Sequence, residues 1–273
     1  MRVTPDSVLF ITIDSCRFDT FVAANAPAMK AISPLYRAQA PAHFTYASHM
    51  AMFAGFTPGV AELETPFLNP KFARLFRLDR AGAPGHARPG FSVSGDDIVS
   101  GFRNARYATV GTAAMGWFDP KTPVSKKLTG SFEQFLFTGD KGVAAQLAFI
   151  EKALARETRR NLFIFMNIGE THVPYYHEGA PWDRADNPCL PFQKVNRAET
   201  CRERQRLCCE YVDRMIAPLL ERFADATIVL CGDHGDCWGE DGLWEHGISH
   251  PMTLTVPLLI RYRGRPVDEA AAG

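Results

Sequence analysis

Aspartates and histidines that could bind a metal ion lie next to several short apolar segments. The segment at 226–230 leads directly into CGDHGD, which contains Asp233 and His234. The other candidates stand near further apolar segments, and they are Asp14, Glu170, His172, His246 and His250. Carboxylates and imidazoles without a thiolate pattern suit zinc or manganese, and the carboxylates make calcium or magnesium possible too. The pattern predicts a site for a divalent ion.

The adjacent pair Asp233 and His234 carries more weight than the single residues. A lone aspartate at a strand end is most often a turn residue or a helix cap. His172 alone fits an ordinary surface imidazole as well as it fits a metal or substrate contact. Adjacent ligands can both turn toward one ion, and Gly235 lets the chain curve closely around it. It is the set of residues that indicates a site.

Thr45 supplies the hydroxyl that a site made only of aspartate and histidine would lack. It precedes a predicted helix at 46–54, which ends at Gly55. Threonine in this position is first of all a helix cap. Its oxygen would also lie beside backbone N–H groups and the positive end of the helix, which favour an alkoxide or a bound phosphoryl group. Thr45 is therefore the candidate nucleophile.

The elements that must position these residues alternate between strands and helices. Helical spacing recurs at 142–157 and at 197–223, where Pro218 is expected to bend or end the second helix. Apolar segments typical of strands buried on both faces occupy 8–14, 107–114, 161–169, 226–233 and 256–262. This order predicts a three-layer α/β/α sandwich with a mainly parallel central sheet. Ligands of such sheets bind at the carboxyl ends of the strands, where most of the candidates fall.

Composition limits the partners and the cellular location. The 273 residues are expected to form a single domain, 1–273, with irregular insertions near 64–95 and 175–193. Thirty basic and thirty acidic residues cancel, so no overall field favours nucleic acid, an anionic membrane or a polyanionic substrate. The apolar run at 7–13 is too short to span a membrane or to act as a leader. Seven cysteines without a C-x-x-C pair favour reduced thiols, so a cytoplasmic location is expected.

Five motifs, taken in order, resemble the alkaline phosphatase superfamily, and most of all its sulfatase-like hydrolases and phosphotransferases. They are Asp14, TYASH at 45–49 followed by GFTP at 55–58, THVPY at 171–175, GDHGDCWGEDGLWEHGISH at 232–250 and VPLLIR at 256–261. Each motif is weak alone, whereas the ordered set spans residues 8–261. The resemblance implies an alkaline-phosphatase-like fold, and the short chain after 261 implies that the C-terminal subdomain of sulfatases is absent.

The resemblance also implies roles for the candidate residues. Asp14, Asp233 and His234 would hold one divalent ion, with Thr45 as a further ligand and the nucleophile. A second cluster would consist of His172, His246 and His250, with Glu170 as a possible addition. This cluster would bind a second ion or contact the phosphoryl oxygens directly, and His172 and His246 would take part in catalysis.

Two departures from the sulfatases point to phosphorus chemistry. A threonine cannot become the formylglycine that sulfatases use, and His49 stands where their arginine is expected. The expected activity is hydrolysis of small-molecule phosphate mono- or diesters through a phosphothreonine at Thr45. A phosphotransferase or mutase using the same site is the alternative, and a sulfatase-like or non-catalytic metal-binding protein is less favoured. Arg17 and Asp19 are expected to support the site, and nothing marks Cys237 as reactive.

Overall fold

A computed structural model describes residues 2–56, 76–78, 91–93, 96–139, 141–190 and 196–268. The strands in the described chain are β1 (Val8–Ile13), β2 (Tyr36–Gln39), β3 (Phe76–Leu78), β4 (Phe91–Val93), β5 (Ala108–Ala113), β6 (Gln134–Phe137), β7 (Leu162–Ile168), β8 (Thr227–Gly232), β9 (Cys237–Trp238), β10 (Trp244–Glu245), β11 (Thr255–Tyr262) and β12 (Arg265–Pro266). The α-helices are α1 (Phe18–Ala23), α2 (Pro27–Lys30), α3 (Thr45–Ala54), α4 (Ile98–Asn104), α5 (Lys126–Thr129), α6 (Val143–Arg156), α7 (Ala198–Arg222) and α8 (Pro251–Leu254).

An eight-stranded sheet forms the middle layer, in the order β12-β11-β8-β1-β7-β5-β6, with β2 also paired to β11. The five strands from β8 to β6 run parallel. Strand β11 runs antiparallel to β8, and β2 and β12 run antiparallel to β11. All five predicted strands are confirmed, and the predicted mainly parallel sheet is correct.

Helices cover both faces of this sheet. On one face, Leu9 and Ile11 of β1 share a core with Ile150 of α6 and with Val212 and Ile216 of α7. The opposite face packs a second core of mostly aromatic residues against α3, α4 and α5; its buried members are Phe53, Val99, Ala113, Phe118, Leu128, Phe132, Phe163 and Phe165. Burial of these apolar surfaces contributes about 25 cal/mol per Å² to folding. The expected three-layer α/β/α sandwich is confirmed.

Pro218 does not end helix α7, although the sequence predicts that the helix bends or ends there. The helix neither stops at Pro218 nor shortly before it but continues to Arg222. Ile216, Leu219 and Leu220 around the proline are buried. Their packing offsets the cost of a proline inside a helix, which is about 3 kcal/mol.

The two predicted insertions are described to different extents. Most of 64–95 lies outside the described residues, and within it β3 and β4 pair antiparallel. The described part of the second insertion, 175–190, contains neither helix nor strand. Within the described ranges, no helix combines the length and the apolarity needed to cross a bilayer. All seven cysteines are free and buried.

Candidate active site and metal centre

The strand directions bring the predicted residues to one edge of the sheet. Strands β1, β7 and β8 are parallel neighbours, so their carboxyl ends deliver Asp14, His172 and Asp233 side by side. Strand β11 is antiparallel to β8, so β11 begins at this edge, and the segment that precedes β11 also lies there. Because β11 is antiparallel to β8, His246, which precedes β11, lies at the same edge as the residues that follow β1, β7 and β8.

Asp14, Asp233 and His234 form a buried group at this edge. One ligand atom of each lies within 4.8 Å of the others. The Nε2 atom of His234 is 3.8 Å from Asp14 Oδ1 and 3.7 Å from Asp233 Oδ2. Thr45 Oγ1 joins them at 3.3 Å from the same Nε2. Two carboxylates, an imidazole and a hydroxyl therefore converge without any thiolate.

Neighbouring groups fix how these ligand atoms point. Asn167 Nδ2 donates to Asp14 Oδ2 at 2.9 Å, and Asp233 Oδ1 accepts from the backbone N–H groups of Ser15 and His234 at 3.1 and 2.9 Å. His234 Nδ1 donates to the Gly235 carbonyl at 3.0 Å. That bond leaves Nε2 with its lone pair toward the carboxylates. Asp233 Oδ2 is buried and has no hydrogen-bond partner among the residues that the structure describes.

Gly235 permits a close approach between two stretches of backbone. A Cβ atom at Gly235 would lie 2.2 Å from the Met252 carbonyl oxygen, so no other residue fits there. The Gly235 N–H donates to the Thr253 carbonyl at 2.8 Å. The turn after Asp233 is thereby held against α8.

The electrostatics of the group call for a cation. Burial, followed by the charge of Asp14, raises the pKa of Asp233 well above its ordinary value. Burial likewise lowers the pKa of His234 to about 4, so this imidazole is neutral at pH 7. Two adjacent buried carboxyl groups, a neutral imidazole and an unpartnered carboxylate oxygen are the environment that a divalent ion satisfies. The donor atoms therefore fit zinc or manganese.

Thr45 differs from the predicted helix cap. It is the first residue of α3, the N-cap is Phe44, and no side-chain cap hydrogen bond is formed. The hydroxyl is instead directed to His234 at the positive end of this ten-residue helix. The end of α3 follows the prediction, because Gly55 adopts the left-handed conformation with φ 65°.

His49 anchors the first turn of α3 next to the metal ligands. Its Nδ1 donates to the Thr45 carbonyl at 2.7 Å, and its Nε2 accepts from the Thr12 hydroxyl at 2.9 Å. Nδ1 also lies 3.7 Å from Asp233 Oδ2. Burial lowers the pKa of His49, so a neutral imidazole positions the backbone of Thr45.

A second group lies beside the first and includes Asp236, to which the sequence analysis assigned no role. The ring of His246 packs against those of His234 and His172, with centroid distances of 4.6 and 5.1 Å. Its Nδ1 donates to Asp236 Oδ1 at 2.8 Å. Burial lowers the pKa of His246, but the hydrogen bond and charge of Asp236 outweigh burial and raise this pKa to about 9. His172 Nδ1 donates to the Val173 carbonyl at 2.8 Å, which leaves its Nε2 free.

His250 and Glu170 lie outside these two groups and serve other elements. His250 caps α8: its Nδ1 accepts from the Met252 N–H at 3.0 Å, and its Nε2 is 3.2 Å from Asp241. Glu170 Oε1 accepts from the N–H groups of Gly142 and Val143 at 3.0 and 2.9 Å, at the start of α6. The structure thus does not bring His250 to the second group, where Asp236 stands instead.

Arg17 and Asp19 lie beside the site, and Cys237, which follows Asp236, is a buried free thiol. Arg17 pairs with Asp19 and with Glu240 and donates to the Asp236 carbonyl at 3.2 Å. Burial raises the pKa of the Cys237 thiol to about 12, so it carries no thiolate at neutral pH. The sequence analysis assigned no role to three buried polar residues that hold the loops, Asp236, Asn167 and Gln205. Asp236 and a fourth such residue, Tyr175, stand within the motifs at 232–250 and 171–175, whereas Asn167 and Gln205 stand in no motif.

The chain shares its fold with a solved protein of the alkaline phosphatase superfamily from Vibrio parahaemolyticus, which is 12% identical, with a TM-score of 0.57 over 97% of this chain and 62% of that chain. Among solved structures of this fold is the zinc complex of the C-terminal periplasmic domain of EptC from Escherichia coli. It shares 13% identity with a TM-score of 0.63, over 95% of this chain and 73% of that chain. The predicted resemblance is confirmed at the level of the fold.

Two further structures carry names that describe an activity. The C-terminal periplasmic domain of phosphoethanolamine transferase EptC from Campylobacter jejuni is 12% identical, with a TM-score of 0.61 over 98% of this chain and 81% of that chain. The phosphonate monoester hydrolase of Agrobacterium radiobacter is 15% identical, with a TM-score of 0.62 over 96% and 70%. No protein-family model matches the sequence, and no curated protein matches it significantly.

Proposed function

We propose that the protein is a metal-dependent hydrolase of phosphate esters in which Thr45 is the nucleophile. One observation carries the proposal: the Thr45 hydroxyl lies 3.3 Å from His234 Nε2, inside a buried group whose Asp233 Oδ2 lacks a partner. A hydroxyl among ligands that require a cation is the arrangement in which an alcohol becomes a strong nucleophile. The names of the solved structures of the same fold support phosphoester chemistry.

The ion is proposed to be a single zinc or manganese held by Asp14, Asp233, His234 and Thr45. When bound, it would supply positive charge that lowers the pKa of the Thr45 hydroxyl and polarises a phosphoryl oxygen. Asn167 and the backbone N–H of Ser15 keep the two carboxylates aimed at it. The zinc complex of EptC supports the choice of metal.

The residues of the chain then carry out two displacements at phosphorus. Thr45 loses its hydroxyl proton and Oγ1 forms a bond to phosphorus while the ester P–O bond breaks; the leaving oxygen departs with the electron pair and takes up one proton, which balances the proton lost by Thr45. In the second displacement, a water oxygen bonds to phosphorus, the Thr45 P–O bond breaks and the hydroxyl is restored. His172 and His246 would contact the phosphoryl oxygens, and the positive end of α3 favours the negative charge at Thr45.

The proposed substrate is a small phosphate mono- or diester, with neither nucleic acid nor a membrane surface as partner. Phe44 and Tyr46 flank Thr45, and both rings pack near Trp117, at centroid distances of 6.1 and 5.4 Å. Trp117 remains 41% exposed. These aromatic rings next to the nucleophile favour an apolar or aromatic ester group. The cytoplasmic location is proposed on the free, buried cysteines alone, whereas EptC is named as a periplasmic domain.

A phosphotransferase is the second candidate, supported by the name of the Campylobacter jejuni structure. Both candidates share the first displacement and differ in the acceptor, which is an alcohol rather than water. A transferase would release product faster as the concentration of an added alcohol rises, whereas a hydrolase would be insensitive to it.

The test is turnover of p-nitrophenyl phosphate and bis(p-nitrophenyl) phosphate by zinc- or manganese-loaded protein. The proposal expects metal-dependent turnover that falls by on the order of 10³-fold or more in Thr45→Ala, with Thr45→Ser retaining part of it. Because Thr45 does not cap α3, the alanine variant is expected to unfold at nearly the wild-type temperature. Metal-dependent turnover that survives in Thr45→Ala would exclude Thr45 as the nucleophile.

A further inference from the structure

We infer that Tyr175 is a positioning residue that acts through Asp236 to set the orientation of His246. The inference rests on the proposed function, because His246 is the group that would meet the phosphoryl oxygens. The Tyr175 hydroxyl donates to Asp236 Oδ2 at 2.8 Å, and His246 Nδ1 donates to Asp236 Oδ1 at 2.8 Å. The two oxygens of one carboxylate thus join a tyrosine to a histidine across 71 positions of sequence.

The tyrosine itself is held from three directions. Its hydroxyl accepts from Trp238 Nε1 at 2.8 Å, and its carbonyl accepts from Trp182 Nε1 at 3.0 Å. Its backbone N–H donates to the His172 carbonyl at 2.9 Å. Tyr175 is fully buried and has a positive φ of 57°, a conformation that a tyrosine adopts at a cost in free energy. A side chain fixed so closely can define the position of a carboxylate.

These contacts decide between two roles for Asp236. His234, Asp236 and His246 each offer one atom within 4.8 Å of the others, so Asp236 could in principle be a ligand of a second ion. Both oxygens of Asp236, however, are already engaged with Tyr175 and His246. The backbone around it is also tied, because Arg17 donates to its carbonyl at 3.2 Å. Asp236 therefore orients His246 and does not bind the metal.

The consequence for His246 lies in which ring nitrogen faces the substrate. A proton held on Nδ1 by Asp236 leaves Nε2 as the atom that points away from the carboxylate. Carboxylate partners of this kind fix the tautomer and the ring orientation of histidines in metal centres, and their loss costs about 10- to 100-fold in activity or metal affinity. Removal of the Tyr175 hydroxyl frees Asp236 Oδ2, so the carboxylate can rotate and His246 loses its fixed orientation.

The first test follows the ring nitrogens of His246 by long-range ¹H–¹⁵N NMR, assigned with a His246→Gln variant. Wild-type protein is observed without metal and after one equivalent of zinc. The inference expects the Nδ1 proton of His246 to persist through the titration while the His234 resonances shift. Loss of that proton on zinc binding would show that Asp236 has moved to the ion and would overturn the inference. This measurement requires neither turnover nor a folded Tyr175→Phe variant.

The second test compares Tyr175→Phe with Tyr36→Phe. Tyr36 is the matched control, since its hydroxyl also makes a hydrogen bond inside the protein, to the Val267 carbonyl at 2.7 Å, but at the edge of the sheet. We expect Tyr175→Phe to lower kcat about 10-fold with little change in KM, and to speed exchange of the His246 Nδ1 proton. Indistinguishable kcat values and exchange rates in the two variants would overturn the inference.

The experiments distinguish failure of the proposed function from failure of the positioning role of Tyr175. Wild-type protein without phosphoesterase activity would refute the proposed function, while the NMR spectra would still report whether Tyr175 and Asp236 hold His246. Activity that depends on Thr45 but is unaffected by Tyr175→Phe would refute only the positioning role.

Discussion

The substitution Asp233→Asn should make the metal-free protein more stable and should abolish the stabilisation of the protein by zinc. In the wild type, Asp233 Oδ2 is buried without a partner beside Asp14. Asparagine keeps the oxygen that accepts from Ser15 and His234, and in place of the unpartnered oxygen it offers an NH₂ group that can donate to the Asp14 carboxylate. An unsatisfied buried acceptor costs about 1–3 kcal/mol. A gain of about 2 kcal/mol corresponds to a rise in Tm of about 4–8 °C for a domain of this size.

The gain should depend on pH in a defined direction. The pKa of Asp233 is raised in the folded protein above the ordinary value of 3.8, by burial and by Asp14. Such a carboxyl group contributes stability that is fully present below its ordinary pKa and is lost as pH rises through the raised, folded-state value. Asparagine has no such loss, so the advantage of Asp233→Asn is expected to be small near pH 4 and to widen toward pH 7.

Thermal unfolding with EDTA or with zinc checks both parts. Zinc at about 100 times its Kd should stabilise the wild type by about 2.7 kcal/mol and leave Asp233→Asn unchanged. Asp213→Asn is the control: this buried carboxylate accepts from Met29 and Ala28 N–H groups at 2.7 and 3.3 Å, so its amide should destabilise the fold. If metal-free Asp233→Asn is less stable than the wild type, Asp233 Oδ2 does not destabilise the fold. If zinc still stabilises the variant, Asp233 is not a zinc ligand.

Three further predictions concern residues around the site. Gln205→Leu should lower the free energy of unfolding by about 3 kcal/mol, measured in urea, because Gln205 bonds the backbones of Ser15, Thr171 and Arg17. His250→Ala should cost about 1 kcal/mol through loss of the α8 cap and leave the zinc content unchanged; a loss of zinc would restore His250 as a ligand. Glu170→Ala should likewise destabilise α6 by about 1 kcal/mol in thermal unfolding without altering the bound metal, and reduced metal affinity would argue that Glu170 is a ligand.

The strands of the central sheet were predictable because their continuous apolar pattern is typical of strands that are buried on both faces. Continuous apolar runs such as 161–169 suit strands covered on both faces, and β7 is buried along its whole length. Gly55 marked the end of α3 because glycine adopts the left-handed conformation at little cost. The adjacent Asp233 and His234 indicated a ligand pair because a strand end delivers both to one place.

Other features depend on tertiary contacts that residue type does not encode. The apolar pattern of β11 is the same in either direction, so its antiparallel pairing with β8 was not predictable. His246 and His250 both lie in the segment before β11, yet His246 bonds to Asp236 and His250 caps α8. The contact between Tyr175 and Asp236 joins two distant loops. Packing of α7 likewise outweighed the local preference of Pro218 to end a helix.

The most direct test of the proposed chemistry is the site of covalent phosphorylation. Zinc-loaded protein turning over p-nitrophenyl phosphate would be quenched in acid, digested and mapped by mass spectrometry. We expect a phosphoryl group on Thr45 that is absent from the corresponding peptide of Thr45→Ala. Turnover with the phosphoryl group on another residue, or with Thr45 unmodified at every quench time, would contradict it.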